Sequence, residues 1–125
     1  MPMFAKSLTI AAIAGFAVLT PLFNPAVAQA EDMYGAIATD DETGSWGYGY
    51  NYPTRRQAET AAKDQCGEPG CQVEVWFMNA CGAVAKDGQT VGWGWAETEA
   101  EAQTKALSAC GSGSCKIETW ACTDR

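Results

Sequence analysis

The stretch TRRQAETAAKDQCGEPGC, Thr54 to Cys71, returns 44 positions later as TEAEAQTKALSACGSGSC, Thr98 to Cys115. Each copy opens on a threonine followed three residues later by Gln57 or Glu101, a capping box whose side chains satisfy backbone N–H groups left unpaired in a first helical turn. Each closes on a glycine, Gly67 or Gly111, where a left-handed stop needs no Cβ. Between these signals lie the small residues Ala58, Ala61 and Ala62, and Ala102, Ala106 and Ala109. The spacing predicts two helices of about a dozen residues, each with a small-residue stripe, and each followed by a turn bounded by two cysteines. Glu59 with Lys63, and Glu101 with Lys105, have the i,i+4 spacing of ion pairs on a solvated face.

Working outward, the similarity continues on both sides. Gly35-Ala36-Ile37-Ala38 matches Gly82-Ala83-Val84-Ala85, and Trp46-Gly47-Tyr48 matches Trp93-Gly94-Trp95, both at an offset of 47. The change of three places an insertion at about Asn51-Tyr52-Pro53. Downstream, Glu74 and Trp76 match Glu118 and Trp120. A self-match of this extent reads as an internal repeat, with repeat one at 34–79 and repeat two at 80–125.

Each repeat reads as strand, strand, helix, strand. Asp41-Glu42-Thr43-Gly44 and Lys86-Asp87-Gly88 supply hairpin chemistry between the first two strands. Because side chains alternate across a strand, Trp46, Tyr48 and Tyr50 share one face and Gly47 and Gly49 the other. Alanine should then pack over glycine on the helix side, with the aromatics opposite. In the last strands, Val73, Val75 and Phe77 are expected on one face, and Ile117, Thr119 and Ala121 repeat that set. The fold class expected is α+β: two tandem β-β-α-β repeats forming antiparallel sheets, with one helix per repeat on one face, stabilised by disulfides.

Met1 to Lys6 is a short basic start, Leu8 to Leu19 is apolar, and Ala28-Gln29-Ala30 has a small-x-small cleavage pattern. Residues 1–30 thus read as a secretory signal peptide, too short in its apolar part for a permanent anchor. The expected product is a single duplicated domain, 31–125, secreted or periplasmic, with no stable membrane anchor after cleavage. All six cysteines fall within it, and oxidising surroundings favour three disulfides. Two Cys-x4-Cys pairs could instead offer four thiolates to zinc, a reading that export weighs against. The repeat selects among pairings: Cys66–Cys71 and Cys110–Cys115 close equivalent turns, leaving Cys81–Cys122. The counterparts of that last pair are Tyr34 and Met78, capable of a sulfur–aromatic contact. Two positions replaced together suggest spatial neighbours, hence a first strand lying antiparallel to the third, sheet order 2-1-3, and a right-handed crossover.

The whole chain has 8 basic and 15 acidic side chains among its 125 residues, a net charge of −7, with 47% apolar residues and no histidine. Without Lys6 the balance after residue 30 is 7 against 15, or −8, which argues against nucleic acid as a partner. The missing histidine removes the commonest general base, and paired cysteines leave no thiol nucleophile. No phosphate loop, Gly-x-Ser-x-Gly or His-Glu-x-x-His occurs, so no catalytic residue, cofactor or metal is assigned. The repeat-equivalent Glu74 and Glu118 could serve a carboxylate-based envelope hydrolase, but solvated strand glutamates are the simpler account.

The residues left for recognition are aromatic: Trp46, Tyr48, Tyr50, Tyr52, Trp76, Trp93, Trp95 and Trp120. The expectation is that the two repeats bury most of these against each other, since a monomer rarely exposes so large an apolar patch. Tyr50, Asn51, Tyr52 and Pro53 lack counterparts and are the expected contact surface, with Trp46, Tyr48, Trp93 and Trp95 beside them. The leading function is a non-catalytic module for an unknown protein partner, with an inhibitor-like module as one form of it; the alternative is a glycan or cell-envelope binder acting through the tryptophans.

Together, Tyr34-Gly-Ala-Ile-Ala, Trp46-Gly-Tyr-Gly-Tyr-Asn-Tyr-Pro, Ala58 to Cys66-Gly, Cys71 with Trp76, and Ala80-Cys81-Gly-Ala resemble the bacterial exported domain of unknown function numbered four-one-eight-nine, over Tyr34 to Cys122. The resemblance implies export and a repeated layout. It carries no catalytic residues over to this chain.

Overall fold

The computed structural model describes residues 31–125; the signal-peptide reading of residues 1–30 lies outside the described residues. The element order is β1 (Tyr34–Thr39), β2 (Trp46–Tyr52), α1 (Arg55–Cys66), β3 (Gln72–Met78), β4 (Cys81–Lys86), β5 (Val91–Ala96), α2 (Glu99–Cys110) and β6 (Lys116–Cys122). These make two three-stranded antiparallel sheets, ordered β2-β1-β3 and β5-β4-β6. The architecture is therefore α+β, with one helix against each sheet.

The caps form where the sequence places them. Thr54 and Thr98 accept from the backbone N–H groups of Gln57 and Glu101, and Gly67 and Gly111 end the helices at φ 79° and 80°. The helix ion pairs do not. Glu59 is taken by Arg55 at 3.2 Å, on the turn before it, and the Lys105 ammonium donates to the carbonyl of Trp95 at 3.3 Å instead of meeting Glu101. Exposed i,i+4 pairs are worth only a few tenths of a kcal/mol, so a nearby competing acceptor readily displaces them.

The glycine strands do lie under the helices. A Cβ at Gly47 would collide with the backbone of Ala62 and Cys66, and one at Gly92 with the backbone of Ala106 and Cys110. Absence of side chains lets each helix settle directly on its edge strand, through Ala58, Ala62 and Cys66 in α1 and Ala102, Ala106 and Cys110 in α2. Ala109, expected in the stripe, is exposed.

Three disulfides staple this frame: Cys66–Cys71, Cys110–Cys115 and Cys81–Cys122. The first two close the turn after each helix, and the third joins directly opposed residues of β4 and β6. In the other sheet Tyr34 opposes Met78 at the equivalent position, but the Tyr34 ring stacks on Trp76, 6.3 Å between centroids.

The two sheets face each other through the sides their helices do not cover. Ile37, Val75, Phe77, Ala80, Val84 and Ala121 form this central core, partly covered by Tyr48 and Val91. The expected alternation of the third strands is broken here. Ile37 opposes Val75 while Ala38 opposes Val73, so Glu74 is the extra residue of a β-bulge; Glu118 holds the same place between Ile117 and Thr119. A bulge shifts the side-chain phase by one. Val73 and Ile117 consequently pack with the helix-side clusters, and Val75, Phe77 and Ala121 with the central one.

Phe77 is the largest fully buried side chain, and its ring lies against both Gly35 of β1 and Gly82 of β4. These glycines are counterparts 47 residues apart, whereas the counterpart of Phe77 is Ala121. One aromatic ring, taken from one unit only, therefore fills the space between the two central strands.

Candidate functional site

The aromatic rows run along the edge strands. Trp46, Tyr48 and Tyr50 of β2 stack on one another with centroids 5.9 and 5.8 Å apart. Trp93 and Trp95 occupy the corresponding face of β5. The rings of β2 and β5 point toward the space between the sheets, whereas Trp76 and Trp120 alternate with the central residues Phe77 and Ala121; none of them forms the core, since all five tryptophans are between 39 and 52% exposed. The expectation that the two units bury them against each other is thus corrected. Small side chains on the central strands and Phe77 fill the interior, and the large rings of the outer strands project beyond it.

Where those outer strands meet, two grooves result. Strands β3 and β5 flank one of about 290 Å³, lined by Glu74, Trp76, Met78, Trp93 and Trp95 and floored by Val75 and Phe77. On the opposite flank β2 and β6 border another of about 370 Å³, lined by Tyr48, Tyr50, Trp120, Ala121, Cys122 and Asp124. Among the described residues, each groove is lined by several aromatic rings, one carboxylate and no basic side chain. The lining positions correspond at the sequence offsets of 47 and 44, Trp95 to Tyr48, Trp76 to Trp120, and Met78 to Cys122.

Within the unmatched segment Asn51 is engaged inside the fold, while its neighbours stay exposed. Asn51 adopts φ 65° at an irregularity in the β1–β2 register. Its side chain donates to the Asp124 carboxylate at 2.8 Å and accepts from the Asp124 backbone N–H at 2.8 Å. Two hydrogen bonds thus tie the first unit to the end of the second, and Asn51 is an internal clasp. Tyr50 and Tyr52 remain exposed on either side of it, Tyr50 in the β2–β6 groove and Tyr52 beside Arg56, Gln57 and Asp64 of α1. Pro53 is exposed before the Thr54 cap. Sequence reasoning missed Trp76, Met78 and Glu74 as neighbours of Trp93 and Trp95. No repeat signal could have supplied that contact, because it joins unlike strands of the two units.

The glutamates once paired by repeat are held differently. The Thr39 hydroxyl donates to Glu74 Oε1 at 2.7 Å. Glu118 lies 3.3 Å from the Lys86 ammonium, which also lies 3.6 Å from Asp41. Lys86 stands 47 positions after Thr39, at the offset that matches the two first strands, so one carboxylate is neutralised and the other is not. The Asp87 carboxyl, which receives the backbone N–H groups of Thr90 and Gln89, is held down at about 2 by those bonds. Its role is in the turn. Among the described residues no group of three or more histidine, cysteine, aspartate or glutamate side chains is placed to hold a metal, and no helix is long and apolar enough to cross a membrane.

Among solved structures, the fold is similar to the NMR structure of Rv1813c from Mycobacterium tuberculosis, with a TM-score of 0.58, 26% identity, and coverage of 97% of this chain and 99% of that one. Among curated proteins, Rv1269c of Mycobacterium tuberculosis and Mb1300c of Mycobacterium bovis each match at 52% identity over 58 residues, 46% of this chain. The match spans 45% of each of those relatives, a little under half their length. The family model for a domain of unknown function, DUF4189, matches residues 34–122, the span from the start of β1 to the end of β6, and the chain belongs to that family.

Proposed function

We propose that this chain is an exported, non-catalytic protein-binding module, built by tandem duplication of one ββαβ unit, whose contact surface is the aromatic edge of the sandwich. The observation that carries the reading is the exposure of all five tryptophans on a fold that fills its interior with smaller side chains. A half-exposed tryptophan leaves on the order of 100 Å² in water, about 2.5 kcal/mol of unrealised burial per ring. Tryptophan at that density on a rigid scaffold matches the composition of binding hot spots. The signal-like start at Met1–Ala30, the disulfides and the acidic surface support a secreted or periplasmic setting.

We centre the reading on the β3–β5 groove and not on Tyr50–Pro53, because Asn51 already bonds Asp124. The test is capture of a partner from the envelope and culture medium of the native cell, comparing the wild type with a Trp93→Ala/Trp95→Ala variant and a Tyr50→Ala/Tyr52→Ala variant. Loss of the captured partner is expected for the first. Equal capture by all three proteins would end the assignment.

The stacked row of Trp46, Tyr48 and Tyr50 favours a second reading, glycan binding, since flat exposed rings suit the faces of sugars. It predicts a tryptophan fluorescence shift with cell-wall polysaccharide fragments.

A further inference from the structure

The β3–β5 groove has a charge character as well as an apolar one. Among the described residues, Glu74 is the only charged side chain lining it. Its Oε1 is fixed by the Thr39 hydroxyl, while Oε2 has no hydrogen-bond partner among the described residues. The tryptophan faces beside it already attract the chain's own cations: the Arg55 guanidinium lies 4.4 Å from the centre of Trp76, and the Lys105 ammonium 5.6 Å from that of Trp95. Trp93, 48% exposed, carries no such cation among the described residues. An oriented carboxylate with one uncommitted oxygen beside an unoccupied aromatic face is a setting that stabilises a cation twice, by charge-assisted hydrogen bonding and by the ring quadrupole.

The groove walls also suit an extended chain. Both β3 and β5 are outer strands with one side unpaired within their sheets, so backbone hydrogen bonding is available to an added segment. A sugar, by contrast, would find one carboxylate and otherwise apolar side chains for its many hydroxyls. Resting on the protein-binding reading above, we propose that this groove binds an extended, positively charged segment of a partner protein, with a lysine or arginine side chain seated between Trp93 and Glu74. The −8 charge of residues 31–125, from 7 basic and 15 acidic side chains, steers such a segment toward it.

The experiment uses the disulfide-intact protein and a short blocked peptide of alternating valine and arginine. Its twin carries citrulline, which keeps the side-chain shape without the charge. Tryptophan fluorescence should report binding of the arginine peptide, with the citrulline twin about tenfold weaker. Glu74→Gln, which preserves an acceptor for Thr39, should weaken the arginine peptide about tenfold and leave the citrulline twin unchanged. Trp93→Ala should weaken the arginine peptide by roughly tenfold. Asp64→Asn, on the exposed surface of α1, should change nothing. Equal weakening by Asp64→Asn would show diffuse electrostatic attraction and overturn the assignment. If both peptides bind equally and Trp93→Ala weakens both, the requirement for charge is overturned while the protein-binding reading survives. If neither peptide binds and a polysaccharide shifts the fluorescence, both are overturned.

Discussion

Replacing Phe77 by alanine tests the fold where its two units join. The ring is 1% exposed and lies against Gly35 and Gly82, neither of which has a side chain that could move into the vacated space. Both glycines belong to central strands, hydrogen-bonded on each side, so the backbone is poorly placed to collapse inward. Loss of transfer energy plus an unrelaxed cavity places the cost at about 3–5 kcal/mol. Against a total of roughly 5–14 kcal/mol for a chain of this length, that is a large share. A second substitution makes the reasoning specific. Gly82→Ala alone drives a Cβ into the Phe77 ring and should destabilise by about 1–3 kcal/mol; in the Phe77→Ala background the same methyl enters empty space and should recover about 0.5–1 kcal/mol. Urea denaturation of the oxidised protein, followed by tryptophan fluorescence, gives all four corners of the cycle. Phe77→Leu keeps the comparison accessible if the alanine variant does not fold. A cost below about 1 kcal/mol for Phe77→Ala, or an equal penalty for Gly82→Ala in both backgrounds, would refute the proposed seat of the ring.

Removing Cys81–Cys122 by paired alanine substitution opens a 41-residue separation and should cost about 4 kcal/mol, against about 2 for Cys66–Cys71 with its separation of 5; the order of the denaturation midpoints checks this. Asn51→Ala removes both bonds to Asp124 and leaves a non-glycine, non-asparagine residue at φ 65°, so a loss of roughly 1–3 kcal/mol is expected in the same assay. Asp87, lowered from 3.8 to about 2, binds its proton more weakly when folded than when unfolded. Its contribution is therefore present above about pH 3.8 and disappears as the pH falls toward 2; a carboxyl NMR titration with its midpoint at or above 3.8 would contradict the turn geometry.

Much of the scaffold was legible because its signals are local or repeated. Thr54 and Gly67 mark helix ends through chemistry confined to one turn. Gly47 and Gly49 identify the face beneath α1 because the helix packs there through alanine and backbone. The joint replacement of Cys81 and Cys122 by Tyr34 and Met78 points to opposed strand positions, and the structure pairs both couples. The candidate site was far less legible. Asn51 looked available for contact because nothing in the adjoining sequence reveals that Asp124, 73 residues away, is its partner. Glu74 looked like one more alternating strand residue, although the bulge it forms turns Val73 away from Val75.

By itself, then, the sequence determined the order of elements, the disulfide frame and the side of each edge strand that carries its aromatic rings, all consequences of periodicity, capping and repetition along the chain. Tertiary structure alone decided how much of each ring is covered. Alternation assigns a side chain to a face, but exposure depends on how far the opposing sheet extends. Here the central core is narrow, and Phe77 occupies the middle while the tryptophans of the outer strands reach past the edge into solvent.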